Sequence, residues 1–397
     1  MPELDAGRTS AQNTTVKQTI LYFYLKTGGG HFFSAKALSA AVGTDFPDTV
    51  NLPTDGIPPN VKKRRAFLED GYRIAVQDLP FMWPLLYEFS RIRPIRFLQL
   101  LSISWMSGKY IREEILRTGA TKIVVLHFLL VRPVMKAVKK LGLPIHVLEV
   151  VTDPFTVHPF WFHHRNVPAA VFSERAKSDA VKKFGWNPEM IHVYPIMLRP
   201  EFENPVPAKD LPALKKKYGL DPTIPIVLLA GGGDGLPGAE KVIHEADLAG
   251  LKAQIILVCG KNEKQKADVE EFALSRPPEA LPMKVFGFVD FMYDLMNIAD
   301  IIVTKGGPAT IMEILMLGKP PLVVNYIYGQ EQGNVDFIQE NGVGAYIPQP
   351  SKLAQKLVEL AHAPEHLQVM KDRIKNLGLR NGTGELARWV HDFPVEK

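Results

Sequence analysis

The sequence predicts an α/β protein of two doubly wound, Rossmann-like domains facing one cleft. Three observations predict it: strand-like and helical runs alternate in two successive series, the strand-like runs are apolar on both faces, and a proline- and lysine-rich segment divides the series. Short Val- and Ile-rich runs without polar alternation are what parallel strands covered by helices on each side require. In the first series, strands are predicted over Thr19–Lys26, Asp48–Leu52, Thr121–Phe128, Pro144–Val151, Ala169–Phe172 and Ile191–Tyr194. In the second they fall over Ile226–Ala230, Ala253–Val258, Met283–Phe286, Asp300–Val303, Pro321–Val324 and Ala345–Ile347.

Each series opens with a strand that runs into three glycines, Gly28–Gly30 and Gly231–Gly233, so the halves read as a divergent architectural repeat. The polar segment 1–18 predicts a flexible tail, and 19–200 an N-terminal domain. A linker is predicted over 201–225, a C-terminal domain over 226–375, and over 376–397 a helix that packs back on the first domain. Ligands of doubly wound sheets bind beyond the carboxyl ends of the strands, which places a site between the domains.

Composition narrows the class. The chain has 397 residues, 46% of them hydrophobic, and a single cysteine, Cys259. That is enough for sizeable cores and excludes a disulfide framework or a multi-cysteine metal site, so a cytoplasmic enzyme is expected. Met1–Gln18 lacks an apolar stretch and does not read as a signal peptide, and the longest apolar runs fall short of the roughly 20 residues of a spanning helix. The net charge of +5 is clustered at Lys62–Arg65, at Arg91, Arg93 and Arg96, and at Lys215–Lys217. No zinc-finger, helix-turn-helix or basic-stripe pattern accompanies it, so nucleic acid is not the expected partner. Between the first two clusters lie Trp83 and Phe89 in a run of leucines and aromatics, and Phe97–Trp105 continues it. Cations interleaved with aromatics suit an interface with anionic lipid, and equally the core helices of a domain with a solvated basic face.

The stretch from Thr304 to Asn334 carries the most chemistry. A buried strand runs into Lys305-Gly306-Gly307-Pro308-Ala309-Thr310, a turn that opens a helix and presents backbone N–H groups and a positive helix end to phosphate. Glu313 follows on that helix, where a carboxylate can accept from a vicinal diol such as ribose. The next strand releases a loop with Gln330, Glu331 and Asn334, acceptors of the kind that grip sugar hydroxyls. Together they describe a socket for an activated sugar.

Other motifs read two ways. Gly233–Gly238 matches the dinucleotide fingerprint, yet the following strand ends in Cys259-Gly260-Lys261-Asn262 without the carboxylate a ribose needs, so tight packing or close approach to a ligand is the better reading. His31, expected just before a helix beginning near Phe32, is kept neutral by the helix N-terminus and is a candidate base or a capping residue. Asp153, at a strand end, can orient or activate a hydroxyl, or form a turn before Pro154. Arg199 can meet a diphosphate across the cleft or bind a carboxylate at the hinge. His163 and His164, adjacent and without a carboxylate cluster, read as surface residues and not metal ligands.

These motifs, in order, resemble the monogalactosyldiacylglycerol synthase and processive diacylglycerol glucosyltransferase family, relatives of the lipid II-forming peptidoglycan glycosyltransferase within glycosyltransferase family 28. The likeness is carried by Gly28–His31, Val151-Thr-Asp153 with His158 and Trp161-Phe162, Val193-Tyr-Pro with Arg199-Pro200, Gly231–Gly235, Cys259–Asn262, Thr304–Glu313 and Gly329–Asn334, and it runs from about Thr19 to the C-terminus. The resemblance implies a GT-B fold and inverting transfer of galactose or glucose from UDP-galactose or UDP-glucose to diacylglycerol or a similar lipid, with no cofactor and no essential metal. It places Gly306, Gly307, Pro308, Ala309, Thr310 and Lys305 at the diphosphate with Gly233 and Arg199, and Glu313 at the ribose. Phe288 and Val289 fall near the uracil, and Gln330, Glu331 and Asn334 at the hexose. His31 and Asp153 take the catalytic positions, and Gly29, Gly30 and His158 the acceptor side. Trp83, Phe89, Arg93 and Arg96 are implied to meet the inner face of a membrane. Phe32 and Phe33 stand where the family has smaller or polar residues. A soluble glycosyltransferase, a UDP-sugar epimerase and a non-catalytic nucleotide binder share the donor socket as alternatives.

Overall fold

The structure, a computed structural model, describes residues 18–26, 30–59, 61, 71, 74–79 and 81–393. The expected tail, Gly28 and Gly29, and the Lys62–Arg65 cluster lie outside the described residues.

Among the described residues, twelve strands form two six-stranded, wholly parallel sheets. In the first, β1 (Thr19–Tyr24), β2 (Val50–Asp55), β3 (Lys122–Val125), β4 (His146–Val150), β5 (Ala169–Val171) and β6 (Ile191–Val193) lie in the order β2-β1-β3-β4-β5-β6. In the second, β7 (Ile226–Ala230), β8 (Gln254–Val258), β9 (Met283–Phe286), β10 (Ile301–Lys305), β11 (Pro321–Asn325) and β12 (Ala345–Tyr346) lie in the order β12-β11-β10-β7-β8-β9. The order reverses between β1 and β3 in one sheet and between β7 and β10 in the other. Such a switch point leaves a crevice at the strand ends that no crossover covers, which is where ligands bind. Leu126, Gly231 and Gly306 directly follow β3, β7 and β10, and His31 lies in the helix that follows β1.

Every expected strand is present, with one informative trim. The run Thr121–Phe128 stops as a strand at Val125, because His127 caps the helix Phe128–Leu141 by accepting the Leu129 N–H at 3.2 Å. The helix after the first strand starts at Gly30, not near Phe32, so His31 lies in the first turn of α1 (Gly30–Asp45). The chain enters β3 from α2 (Trp83–Arg91) and the long α3 (Arg93–Thr118), the latter ended by Gly119 in the left-handed region at φ 63. Between the sheets the chain is not bare linker; it forms 3₁₀ turns at Pro200–Glu203 and Ala208–Asp210 and a helix over Leu211–Lys217.

The two halves share one core. Ile20, Leu38, Leu148 and Phe155 of the first half are in a single buried cluster with Ile311, Val335, Ile338 and Leu386 of the second. Phe155 stacks on Phe337 at 4.2 Å, and Thr156 Oγ1 accepts the Gly333 N–H at 2.6 Å. The last helix, Thr383–Asp392, returns to α1. Its terminal carbonyls at Val390 and His391 each accept from the buried Lys122 ammonium at 2.7 Å. Among the described residues no helix is long and apolar enough to cross a membrane.

Candidate active site

On the N-terminal side, the end of β1, β3 and β4 gathers three groups. His31 is buried, and its Nδ1 lies 2.8 Å from the Leu126 carbonyl oxygen and 3.0 Å from Thr152 Oγ1. A carbonyl can only accept, so Nδ1 carries the proton and Nε2 keeps its lone pair. Burial pushes the His31 imidazole down to about 4. Asp153 is buried too, and its Oδ2 accepts the Trp161 indole N–H at 2.7 Å. Burial raises its carboxyl to about 7, with the indole bond opposing and the Glu331 charge assisting the rise. His158 Nδ1 accepts the Phe160 N–H at 3.2 Å, so its Nε2 is the protonated nitrogen and donates to Ser90 Oγ at 3.0 Å. Burial lowers His158 to about 3, with the Arg96 and Arg91 charges adding. Gly30 opens α1 with open space beside its Cα.

On the C-terminal side, β10 leads into the turn Gly306-Gly307 and the helix Pro308–Met316. The Gly306 N–H is spent on the Asn325 carbonyl at 2.7 Å and the Gly307 N–H on Lys305 at 2.8 Å. That corrects part of the sequence expectation, since neither glycine N–H is left for a phosphate. Pro308 has no N–H, and Ile311 already bonds Gly307, so Ala309 and Thr310 present the orphan donors of the helix start. Gly306 is required for fit, because a methyl group there would lie 2.6 Å from Tyr326 Cβ. The Lys305 side chain runs beside Gly232 and Gly307, and no carboxylate lies within ion-pair distance of it among the described residues.

The Gly231–Gly235 loop is packed on the turn after β8. A side chain at Gly235, already at φ 77, would collide with Gln265, and one at Gly260 with Gly233. Lys261 N–H donates to Gly233 at 2.7 Å and Gln265 Nε2 to Leu236 at 2.5 Å. Tight packing therefore accounts for Gly235 of the fingerprint, and the left-handed backbone at φ 75 for Gly238, while a side chain at Gly233 would meet nothing within 4 Å. Beyond this turn Phe288 is 61% exposed with the Lys261 ammonium 5.6 Å from its ring centre, while Val289 packs into the core beneath.

Glu313 and Arg199 meet each other. Arg199 Nε donates to Glu313 Oε1 at 3.1 Å and Nη1 pairs with Glu201 at 3.0 Å, so the hinge-carboxylate alternative describes Arg199 here and not a free diphosphate ligand. Burial raises the Glu313 carboxyl and Arg199 opposes that. The hexose-loop residues also knit the site. Glu331 Oε2 accepts the Ile327 N–H at 2.8 Å, and Asn334 Nδ2 donates to the Gly306 carbonyl at 2.8 Å, leaving Glu331 Oε1 and Asn334 Oδ1 as acceptors. Gln330 is half-buried beside them.

The apolar surface is on α2, α3 and the turn before α2: Phe81, in that turn, is 76% exposed, Leu98 64%, Trp105 72% and Phe89 45%. Trp83 is not part of it. Its indole N–H is turned to the Tyr328 carbonyl at 3.0 Å, a correction to the expected lipid-facing role. Beside this face a cavity of about 1240 Å³ is lined by Arg91, Arg93, Arg96, Arg165 and Lys183. His163 and His164, expected at the surface, are half-buried, His163 lining this cavity, and burial lowers His164 to about 4 with the His163 and Arg132 charges adding. Among the described residues no three His, Cys, Asp or Glu side chains form a group that could hold a metal.

Relatives bear on this arrangement. The signature described as monogalactosyldiacylglycerol (MGDG) synthase matches residues 31–197, and that of the glycosyltransferase family 28 C-terminal domain matches 226–383. A chloroplastic monogalactosyldiacylglycerol synthase of Spinacia oleracea is 31% identical over 363 residues, which is 88% of this chain and 68% of that one. The chain belongs to the monogalactosyldiacylglycerol synthase family. Monogalactosyldiacylglycerol synthase 1 of Arabidopsis thaliana is 28% identical, covering 95% of this chain and 71% of its own. Membership in this family makes the protein a hexosyltransferase. Its fold is GT-B: Acinetobacter baumannii MurG superposes with a TM-score of 0.60 at 13% identity, over 95% of this chain and 100% of that one. The glycosyltransferase WaaG superposes at 0.56 with 12% identity, over 94% and 100%.

Sequence reasoning missed Thr152, Tyr87, Ser90 and Thr156. Thr152 adjoins the strand-end Asp153 and was open to notice. The other three act through partners remote in sequence and leave no local pattern.

Proposed function

We propose that the protein transfers a galactosyl or glucosyl group from a UDP-hexose to the free hydroxyl of diacylglycerol or a similar lipid, at a membrane surface, inverting the anomeric configuration. The observation that carries this is the meeting of two half-sites: just past Asp153, Phe155 stacks on Phe337 at 4.2 Å and Thr156 Oγ1 accepts the Gly333 N–H at 2.6 Å, so the loop bearing Asp153 and the loop bearing Glu331 and Asn334 border one space. The relatives named as monogalactosyldiacylglycerol synthases supply the lipid acceptor, and a glycosyltransferase of the same fold solved with UDP and glucose fits the donor class.

In this reading the acceptor oxygen attacks C1 of the hexose as the C1–O bond to the β-phosphate breaks. The hydroxyl proton passes to Asp153, whose poise near neutrality suits a general base better than a histidine held near 4. His31 Nε2 orients the hydroxyl. Departing UDP carries its charge toward Lys305 and the Ala309 and Thr310 N–H groups, in the role a divalent ion would otherwise fill. Glu313 accepts from the ribose, Phe288 faces the uracil, and the free oxygens of Glu331 and Asn334 accept from the hexose. The α2–α3 surface enters the headgroup boundary, and the adjoining arginines meet anionic lipid without a spanning helix.

The test is purified protein with diacylglycerol vesicles, each of several UDP-sugars and EDTA, lipid products being resolved by mass. A β-hexosyl diacylglycerol is expected. Turnover of UDP-hexose to its epimer, or transfer only to soluble acceptors, would replace this reading with one of its rivals.

A further inference from the structure

One face of α2 touches both half-sites. Trp83, Tyr87 and Ser90, at i, i+4 and i+7, share that face. Trp83 bonds the Tyr328 carbonyl, and the Tyr87 ring packs so closely on Gly329 that a methyl group there would collide with it. The Tyr87 ring is also edge-on to Tyr328 at 6.1 Å and to His158 at 4.9 Å, and Ser90 bonds His158. Gly329 stands at φ 73, a turn only glycine makes cheaply, directly before Gln330 and Glu331. Leu85 and Phe89 are turned away from that face, and both are exposed to solvent.

A helix of nine residues is marginal by itself, so its order depends on what it docks against. Docking one face lowers the entropy cost of docking the other. We propose that Tyr87 and Trp83 are positioning residues for the donor loop, and that through them adsorption of α2 to a bilayer and nucleotide binding strengthen each other. This rests on the membrane reading of the preceding section.

The test measures UDP affinity of the full chain with and without vesicles containing anionic lipid, together with vesicle co-sedimentation with and without UDP. In the wild type, vesicles should tighten UDP binding by about fivefold or more, and UDP should tighten vesicle binding by the same factor. Tyr87→Phe should keep the effect. Tyr87→Ala should lose it while still sedimenting with vesicles, and Trp83→Phe, which removes only the N–H donor and leaves the fold intact, should lose part of it. Sedimentation with unchanged UDP affinity in the wild type, or an effect that survives Tyr87→Ala, overturns the coupling alone. Failure of the wild type to bind vesicles overturns the membrane reading and the coupling with it.

Discussion

Trp161 donates its indole N–H to Asp153 across 2.7 Å, and both side chains are buried. This bond favours the ionised carboxylate against burial. Trp161→Phe keeps the packing and removes the donor. A hydrogen bond to a charged group is worth about 1.5–3 kcal/mol, so the acid limb of the pH–kcat/KM profile should move up by roughly one to two pH units. An unmoved limb would take the base role from Asp153.

The two candidate bases titrate apart. With Asp153 near 7, activity should fall as pH drops through neutrality, because the carboxyl takes up its proton. With His31 near 4, activity would hold to well below pH 6, since the imidazole stays neutral there. The same shift has a stability sign. Asp153 is harder to ionise folded than unfolded, so its contribution to stability falls as pH rises from its ordinary range through about 7. Asp153→Asn should therefore lose turnover and, relative to wild type, gain in Tm at pH 8 but not at pH 4; a loss of Tm at pH 8 would contradict the burial account.

Burial pushes the Glu313 carboxyl up, and the Arg199 guanidinium opposes that push. Glu313→Gln should weaken UDP binding by about 1.5–3 kcal/mol, the worth of a bond to a charged acceptor. Arg199→Met should erode UDP affinity more at acid pH than at pH 8, since without the guanidinium the upward push of burial on the Glu313 carboxyl is unopposed. Equal losses at both pH values would mean that Arg199 touches the nucleotide itself.

What the sequence made legible follows from locality. The parallel strands announce themselves because both faces are apolar, and the phosphate turn because Gly-Gly-Pro must end a strand and start a helix. The direction of Trp83 was hidden. At 100° per residue it is roughly 120° around the helix from Phe89 and only about 40° from Tyr87, so an aromatic-rich segment has two faces that composition cannot separate. The partners that decide between them, Tyr328 and His158, come from other domains and loops. Likewise Arg199 and Glu313 each looked like ligand contacts, and only the fold shows that they contact one another.

The surface proposed to face lipid is then smaller than the sequence suggested, excluding Trp83. Leu98→Ser with Trp105→Ser and Phe89→Ser should sharply reduce vesicle co-sedimentation, since each buried apolar side chain contributes about 1.5–3 kcal/mol. Trp83→Ser should reduce it little. The reverse ranking would place Trp83 in the bilayer after all.

Lys122 ties the chain's end to its beginning. Its ammonium, fully buried in β3, donates to the last carbonyls of the C-terminal helix, where a cation also meets the negative helix end. Lys122→Met strands two acceptors in a dry environment, at about 1–3 kcal/mol each. Burial pulls the lysine down to about 8, below its unfolded value, so the folded chain releases a proton before the unfolded chain does. Wild-type stability should rise as pH increases from 8 toward 10, and Lys122→Met should not share that rise. The gap between their denaturation midpoints should therefore widen from pH 7 to pH 9.5. A gap that narrows would show the charged form to be the stabilising one, with the helix dipole outweighing desolvation.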